Sequence, residues 1–217
     1  MVKAVVFDMD GLMLDTERVA ADAWRWAGNV EGLDGMDAFI TATYGRTARD
    51  CERIFQTMFP HAEYAQCWDI MHERRLSVMR EEGIPVKPGL RELMAYLHER
   101  RCPMVLGTST SEAIARPMLE TVGVYHYFSA AAFGDMVKNG KPAPDIYLLA
   151  ADMAGAAPEY CAVLEDSYNG IRAAHAAGAQ AIMVPDIQQP DEEIRALYKA
   201  VCASLFDVCE LLKSWGI

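Results

Sequence analysis

Two carboxylates, Asp8 and Asp10, stand two residues apart at the end of the run Val5-Val6-Phe7, and Gly11 follows them. In an extended segment that spacing sends both side chains to one side, at the tip of a strand. Two acids held that close repel each other. The pairing suits chemistry in which one carboxylate is a nucleophile or metal ligand and its neighbour a general acid and base. Three more segments set polar residues at the end of an apolar run. Gly107-Thr108-Ser109-Thr110 follows Met104-Val105-Leu106, and its hydroxyls and amides can hold a phosphate. Lys138-Asn139-Gly140-Lys141-Pro142-Ala143-Pro144-Asp145 brings two lysines, and Val163-Leu164-Glu165-Asp166-Ser167 is a second acidic strand end that leads into a helix start.

Each segment alone also has a plainer reading. Thr108, Ser109 and Thr110 serve equally well as a helix cap. A single lysine such as Lys138 is a surface residue, and Lys141 in isolation would be the same. Glu165 can bind a metal directly, bind it through water, or orient its neighbour; direct ligation is the preferred expectation. Asp8 and Asp10 are the exception, because paired acids at a strand end are poor structure for their own sake.

These residues must be positioned by the elements around them. Five short apolar runs, residues 4–7, 104–107, 128–132, 162–164 and 181–184, read as strands buried on both faces. Helical patterns alternate with the later ones. Residues 90–100 carry Leu93, Met94 and Leu97 on one stripe, 145–154 begin behind Pro144, and 171–177 have a cap at Ser167 and stop at Gly178. Pro117 predicts that the helix after Thr110 is kinked or starts near the proline. The expected fold is α/β, a doubly wound Rossmann-like parallel sheet with right-handed crossovers and its site at the carboxyl ends of the strands. One stretch departs from the alternation. Roughly seventy residues after the first strand contain helical patterns (17–27 and 67–82) and no convincing strand, far more than a simple connection needs. We read residues 16–83 as a helical cap inserted into a core made of 1–15 and 84–217. Both connections fall beside Asp8 and Asp10, so the cap is expected to act as a lid.

Composition narrows the function. The chain has 217 residues, 52% of them apolar, and a net charge of −11, which argues against nucleic acid and against an anionic membrane surface as partners. Its six cysteines show no CxxC spacing and read as buried, reduced thiols. No signal peptide precedes the first strand and no run reaches transmembrane length, so a cytoplasmic location is expected. The five histidines have no metal-binding spacing, the thirteen methionines read as core filler, and Trp24, Trp26 and Tyr44 read as packing residues.

In their order and spacing the four segments resemble the haloacid dehalogenase-like hydrolases. FDMDGLMLDTE, GKPAPDIY and LEDSYNGI are most similar to the β-phosphoglucomutase-like phosphatases and mutases of that superfamily, and the resemblance covers the whole chain, with the helical insertion where one class carries its cap. It implies an enzyme in which Asp8 attacks phosphorus to form an aspartyl-phosphate. Mg²⁺ would be held by Asp8, the Asp10 backbone carbonyl and Asp166, with Glu165 as the further ligand considered above. Lys141 would add a second cation, Thr108 and the Ser109 amide would bind phosphate oxygens, and Asp10 would protonate the leaving alcohol and then deprotonate water. The segment Tyr44-Gly45-Arg46-Thr47-Ala48-Arg49 is similar to a cap segment of the mutase-like branch, which implies that Arg49 meets the distal anionic group of the substrate; an arginine on a helix surface is the other reading.

The expected activity is a Mg²⁺-dependent phosphatase acting on a small phosphorylated metabolite, a sugar or nucleoside phosphate. A phosphomutase would share the whole site. The mutase pattern, however, carries a histidine and a lysine where this chain has Ala20 and Tyr44, so water is expected to intercept the phospho-aspartate. A phospho-aspartate signalling receiver is shorter and has no helical insertion. A non-catalytic binding protein fits poorly with a complete set of motif residues.

Overall fold

The computed structural model describes residues 2–44 and 48–217; Gly45 lies outside them. Six strands form one parallel sheet: β1 (Ala4–Phe7), β2 (Met104–Gly107), β3 (Ala130–Ala132), β4 (Cys161–Glu165), β5 (Gln180–Met183) and β6 (Ala200–Val201). Their order is β3-β2-β1-β4-β5-β6. The fold class is α/β with a doubly wound sheet, in which the strand order reverses direction between β1 and β4. Ligand crevices of open α/β sheets lie at that reversal, outside the carboxyl ends of the strands.

Two compact units make up the chain, one of residues 1–14 with 86–217 and one of residues 15–85. In the first, Leu14 bridges Val86 and the Lys87 amide donates to the Met13 carbonyl at 2.9 Å, so the two ends of the interruption run side by side. The Lys87 ammonium is fixed by Asp186 just beyond β5, at 2.8 Å. The helices of this unit are α5 (Leu90–Glu99), α6 (Glu112–Val122), α7 (Asp145–Met153), α8 (Tyr168–Ala176), α9 (Glu192–Arg195) and α10 (Leu205–Ser214). Against one sheet face, Ile146, Tyr147 and Ala150 of α7 and Ile171 and Ala174 of α8 pack on Ala4, Val6, Val105, Val163 and Met183. Val5, Phe7, Ala162 and Leu164 alternate with these and are buried as well. Burial of both faces is why the strands read as unbroken apolar runs.

The boundaries differ from the sequence reading in informative places. β3 begins two residues later than expected: the Ser129 amide already donates to the Met104 carbonyl, but registered pairing with β2 starts only at Ala130. β6 went unread: two residues paired with Ile182 and Met183 leave no periodicity to find. Pro117 lies inside α6, which starts at Glu112 behind Ser111, and the helix passes through it.

The second unit contains α1 (Thr16–Glu31), α2 (Met36–Thr43), α3 (Ala48–Met58) and α4 (Tyr64–Glu81). Its centre is aromatic: Trp24 lies edge-on to Phe39 at 5.0 Å and is stacked with Tyr64 at 6.0 Å, and Phe55 joins Phe39 and Phe59. Trp24 is thus a packing residue, whereas Trp26 is 50% exposed with the Arg74 guanidinium over its ring. Of the six cysteines four are buried, Cys51 and Cys102 are half-buried, and all are free thiols. No helix among the described residues is long and apolar enough to cross a membrane.

The sheet centre should dominate the stability of the first unit. Leu164→Ala, at a fully buried position of β4, is expected to cost about 2–5 kcal/mol in urea unfolding followed by circular dichroism. Leu148→Ala, on the 44% exposed side of α7, should stay within about 0.5 kcal/mol of the parent. Equal losses at the two sites would contradict this assignment of the core.

Candidate active site

Three strand ends converge at the reversal of strand order. β1 ends at Phe7, paired with Leu164, so Asp8 leaves the sheet beside Glu165 and Asp166; its amide still donates to the Leu164 carbonyl at 3.1 Å. β2 delivers Thr108 on the other side of β1, with the Thr108 amide on the Ala132 carbonyl at 3.1 Å. Lys141 arrives from the segment before α7. Its Nζ donates to Asp8 Oδ1 at 2.5 Å and to Glu165 Oε1 at 2.6 Å, and all three side chains are less than a tenth exposed.

Glu165 is held on every side. Oε1 accepts from Lys141 Nζ and from the Tyr147 hydroxyl at 2.5 Å, while Oε2 accepts from the Ser167 amide and hydroxyl, both at 3.0 Å. The same Ser167 Oγ also caps α8 by accepting from the Gly170 amide. Gly170 is required there, since a Cβ would lie 1.7 Å from Glu165 Oε1. Gly11 is equally constrained. Its φ of +81° suits glycine, and a Cβ would sit 2.2 Å from Asp166 Oδ2.

Asp10 lies past the end of the strand, near enough to Asp8 for its charge to add to the rise of the Asp8 carboxyl. The chain turns over residues 9–14, with the Gly11 amide on the Leu14 carbonyl at 2.9 Å, and Asp10 Oδ2 accepts from the Thr110 hydroxyl at 2.7 Å. The Thr110 amide in turn donates to Thr108 Oγ1 at 3.1 Å, which leaves the Thr108 hydroxyl proton available to a ligand. Thr108 is buried and Ser109 exposed at this turn. The structure therefore gathers Asp8, Asp10, Thr108, Ser109, Lys141, Glu165 and Asp166 at one edge of the sheet. Arg49 belongs to the second unit, exposed in the first turn of α3 near Arg53. Lys138 is exposed and Lys141 is not. The sequence reading missed Tyr147: nothing in GKPAPDIY marks this tyrosine as more than a core residue until α7 turns its hydroxyl toward Glu165.

Burial sets the electrostatics. It pushes the Asp8 carboxyl up to about 8, with Lys141 opposing and Glu165 adding to the rise. Burial also acts against the charge of Lys141, yet Asp8 and then Glu165 outweigh it and hold the ammonium above its usual value. Glu165 pays the same desolvation penalty, but Lys141, Tyr147 and Ser167 together bring it below the ordinary carboxylate range. With one ammonium between two carboxylates, Glu165 keeps its charge through four donors and Asp8 more readily takes a proton. One oxygen each from Asp8, Glu165 and Asp166 lies within 4.8 Å of the others. These are hard oxygen donors, the type that Mg²⁺ takes. The residues fit such an ion.

Among protein families, the haloacid dehalogenase-like hydrolases match residues 2–178. The chain is 37% identical to the fructose-1-phosphate phosphatase YqaB of Escherichia coli over 188 residues, covering 83% of this chain and 95% of that protein. It is 32% identical to a phosphorylated carbohydrates phosphatase of Thermotoga maritima, covering 83% and 84%. Among solved structures, one described as a putative beta-phosphoglucomutase from Thermotoga maritima superposes with a TM-score of 0.82 at 29% identity, covering 98% of this chain and 99% of that one.

Two outcomes test this geometry. Folding raises the Asp8 pKa from its usual 3.8 to about 8 in the metal-free protein. The stability this confers is full below pH 3.8 and is lost as the pH rises through 8. A cation that needs the carboxylate must displace that proton. The rise in melting temperature on adding Mg²⁺ is therefore expected to be larger at about pH 8 than at about pH 6 by differential scanning fluorimetry, and a shift independent of pH would contradict it. Gly170→Ala, which on helix propensity alone would stabilise α8 by about 1 kcal/mol, is instead expected to lower the melting temperature, because the new methyl group displaces the Glu165 carboxylate.

Proposed function

The chain belongs to the haloacid dehalogenase-like hydrolases, and from that premise we propose that it hydrolyses the phosphate ester of a small phosphorylated sugar through an aspartyl-phosphate on Asp8, with Mg²⁺ as cofactor. The observation that carries this reading is the buried contact between Asp8 and Lys141 at the carboxyl end of β1, beside the acidic end of β4.

A carboxylate oxygen of Asp8 attacks phosphorus, and the bond from phosphorus to the sugar oxygen breaks. Like charges about 4 Å apart repel by roughly 4 kcal/mol per unit pair at an effective dielectric of ~20, so attack on a phosphate dianion needs compensation. Mg²⁺ would be held by Asp8, Asp166 and the Asp10 backbone carbonyl, and when bound it would supply the larger share of that compensation. Lys141 supplies the rest and keeps Asp8 aimed. Glu165 lies within reach of the same ion, but the four donors already on its oxygens support assigning it to Lys141 rather than to the metal. The Thr108 hydroxyl and the Ser109 amide bind phosphate oxygens. Asp10 gives its proton to the departing sugar oxygen, then removes one from the water that attacks phosphorus and releases inorganic phosphate, restoring Asp8. Selection among sugars is assigned to residues of the second unit, with Arg49 the first to test: Arg49→Ala should raise KM for a bisphosphate more than for a monophosphate.

Hydrolysis is favoured over phosphoryl transfer between two positions of one sugar by Ala20 and Tyr44. Neither side chain relays a proton as a histidine or lysine would, so the coupling that would make Asp10 ready only for a second sugar hydroxyl is weak and water competes.

A panel of sugar phosphates that includes fructose 1-phosphate, assayed with Mg²⁺ for released phosphate, tests the reading. Turnover should vanish with chelator and fall by orders of magnitude in Asp8→Asn. Asp10→Asn should lose roughly 100- to 10,000-fold on sugar esters and less on p-nitrophenyl phosphate, whose leaving group needs little protonation. β-Glucose 1-phosphate with a trace of its 1,6-bisphosphate is expected to yield inorganic phosphate. Stoichiometric glucose 6-phosphate without phosphate release would make the protein a mutase.

A further inference from the structure

We propose that Tyr147 is a positioning residue for phosphoryl transfer: its hydroxyl and ring fix Glu165 and Lys141 so that the ammonium stays on the nucleophile Asp8. The inference rests on the reading of Asp8 as nucleophile. Tyr147 is 1% exposed, and its hydroxyl donates to Glu165 Oε1 at 2.5 Å. The Lys141 ammonium sits over its ring, 4.7 Å from the centroid. The ring edge also lies against β2, since a Cβ on Gly107 would be 3.1 Å from Tyr147 Cε1, one residue before Thr108. One side chain thus touches the lysine, the acid that anchors it, and the strand end that carries the phosphate-binding threonine.

The hydroxyl matters because Glu165 Oε1 is shared. Oε2 is fixed by Ser167, so the plane of the carboxylate is set, and Oε1 has two donors, Lys141 and Tyr147. A carboxylate oxygen that receives a second, charge-sharing donor draws less strongly on the first. Without the phenol, Glu165 would pull the ammonium toward itself and away from Asp8 Oδ1, which it now meets at 2.5 Å. The ring face favours a cation but has no direction along the line between the two acids. The ring therefore holds the charge, and the hydroxyl sets its place. Lys141 acts most strongly as charge shifts in the transition state, so loss of the hydroxyl should appear in kcat and not in KM.

The test uses Tyr147→Phe, which keeps the ring, with NMR of the metal-free parent as a readout that needs no turnover. A slowly exchanging, downfield phenolic proton is expected in the parent and should be absent from Tyr147→Phe. In the steady state that variant should lose about tenfold in kcat with KM within twofold, and adding Tyr147→Phe to Glu165→Gln should produce no further loss. Absence of the downfield proton in the parent, a kcat within twofold of the parent, or an equal loss in the Glu165→Gln background would each overturn the proposal. If Asp8→Asn is inactive and Tyr147→Phe is normal, only this inference fails. If Asp8→Asn remains active, the nucleophile assignment itself fails.

Discussion

A lysine buried between two carboxylates is the constraint around which this molecule is arranged. Lys141, Asp8 and Glu165 are all withdrawn from water, and each ion costs several kcal/mol to desolvate. Their mutual attraction offsets this only if the geometry is good and the remaining lone pairs are satisfied. The second condition is met at Glu165 by Tyr147 and Ser167, and much of the local architecture serves it. Ser167 bonds Glu165 through both its amide and its hydroxyl while the same oxygen caps α8. The helix start is therefore built around the acid, and Gly170 leaves room for it. A hydrophobic triad of similar volume would stabilise the sheet edge as well or better. Chemistry explains why charge is kept there.

The parallel sheet supplies what such a cluster needs, ends of different strands brought side by side without flexible linkers. Asp8 and Glu165 are far apart in sequence, yet the pairing of Phe7 with Leu164 makes them neighbours to within one residue of register. A slip of one residue would turn Asp8 to the opposite face and bring an apolar side chain to Lys141. Burial of both sheet faces, by α7 and α8 on one side and by further core on the other, fixes that register.

This division also decides what was legible beforehand. Strands buried on both faces appear as apolar runs, so the polar residues at or just past their ends, Asp8, Thr108, Glu165 and Asp166, stood out. Lys141 was visible only through its company, because a lysine beside Lys138 looks like any surface cation; the fold buries one and exposes the other. β6 was invisible because two residues carry no period. Trp26 misled because composition cannot tell an aromatic on the packed stripe of α1 from one a short turn away on its open side. Tyr147 was hidden for a related reason. Its ring belongs to the core pattern of α7, and only the three-dimensional meeting of α7 with β4 gives its hydroxyl a partner.

Asp8 and Asp10 were expected to project together, and the structure brings both to the site in different surroundings. Asp8 continues the β1 ladder by one amide and stays in the dry interior with Lys141. Asp10 lies past the bend, where the amide of Gly11 turns back to Leu14, and it is half-buried with Thr110 as partner. The roles proposed for the two acids call for that difference: a nucleophile for phosphorus must be fixed and stripped of water, whereas an acid and base must reach both a leaving oxygen and an incoming water. The two-residue spacing alone does not provide these different surroundings. The end of the strand does, by leaving the first carboxylate on the ladder and releasing the second into the turn.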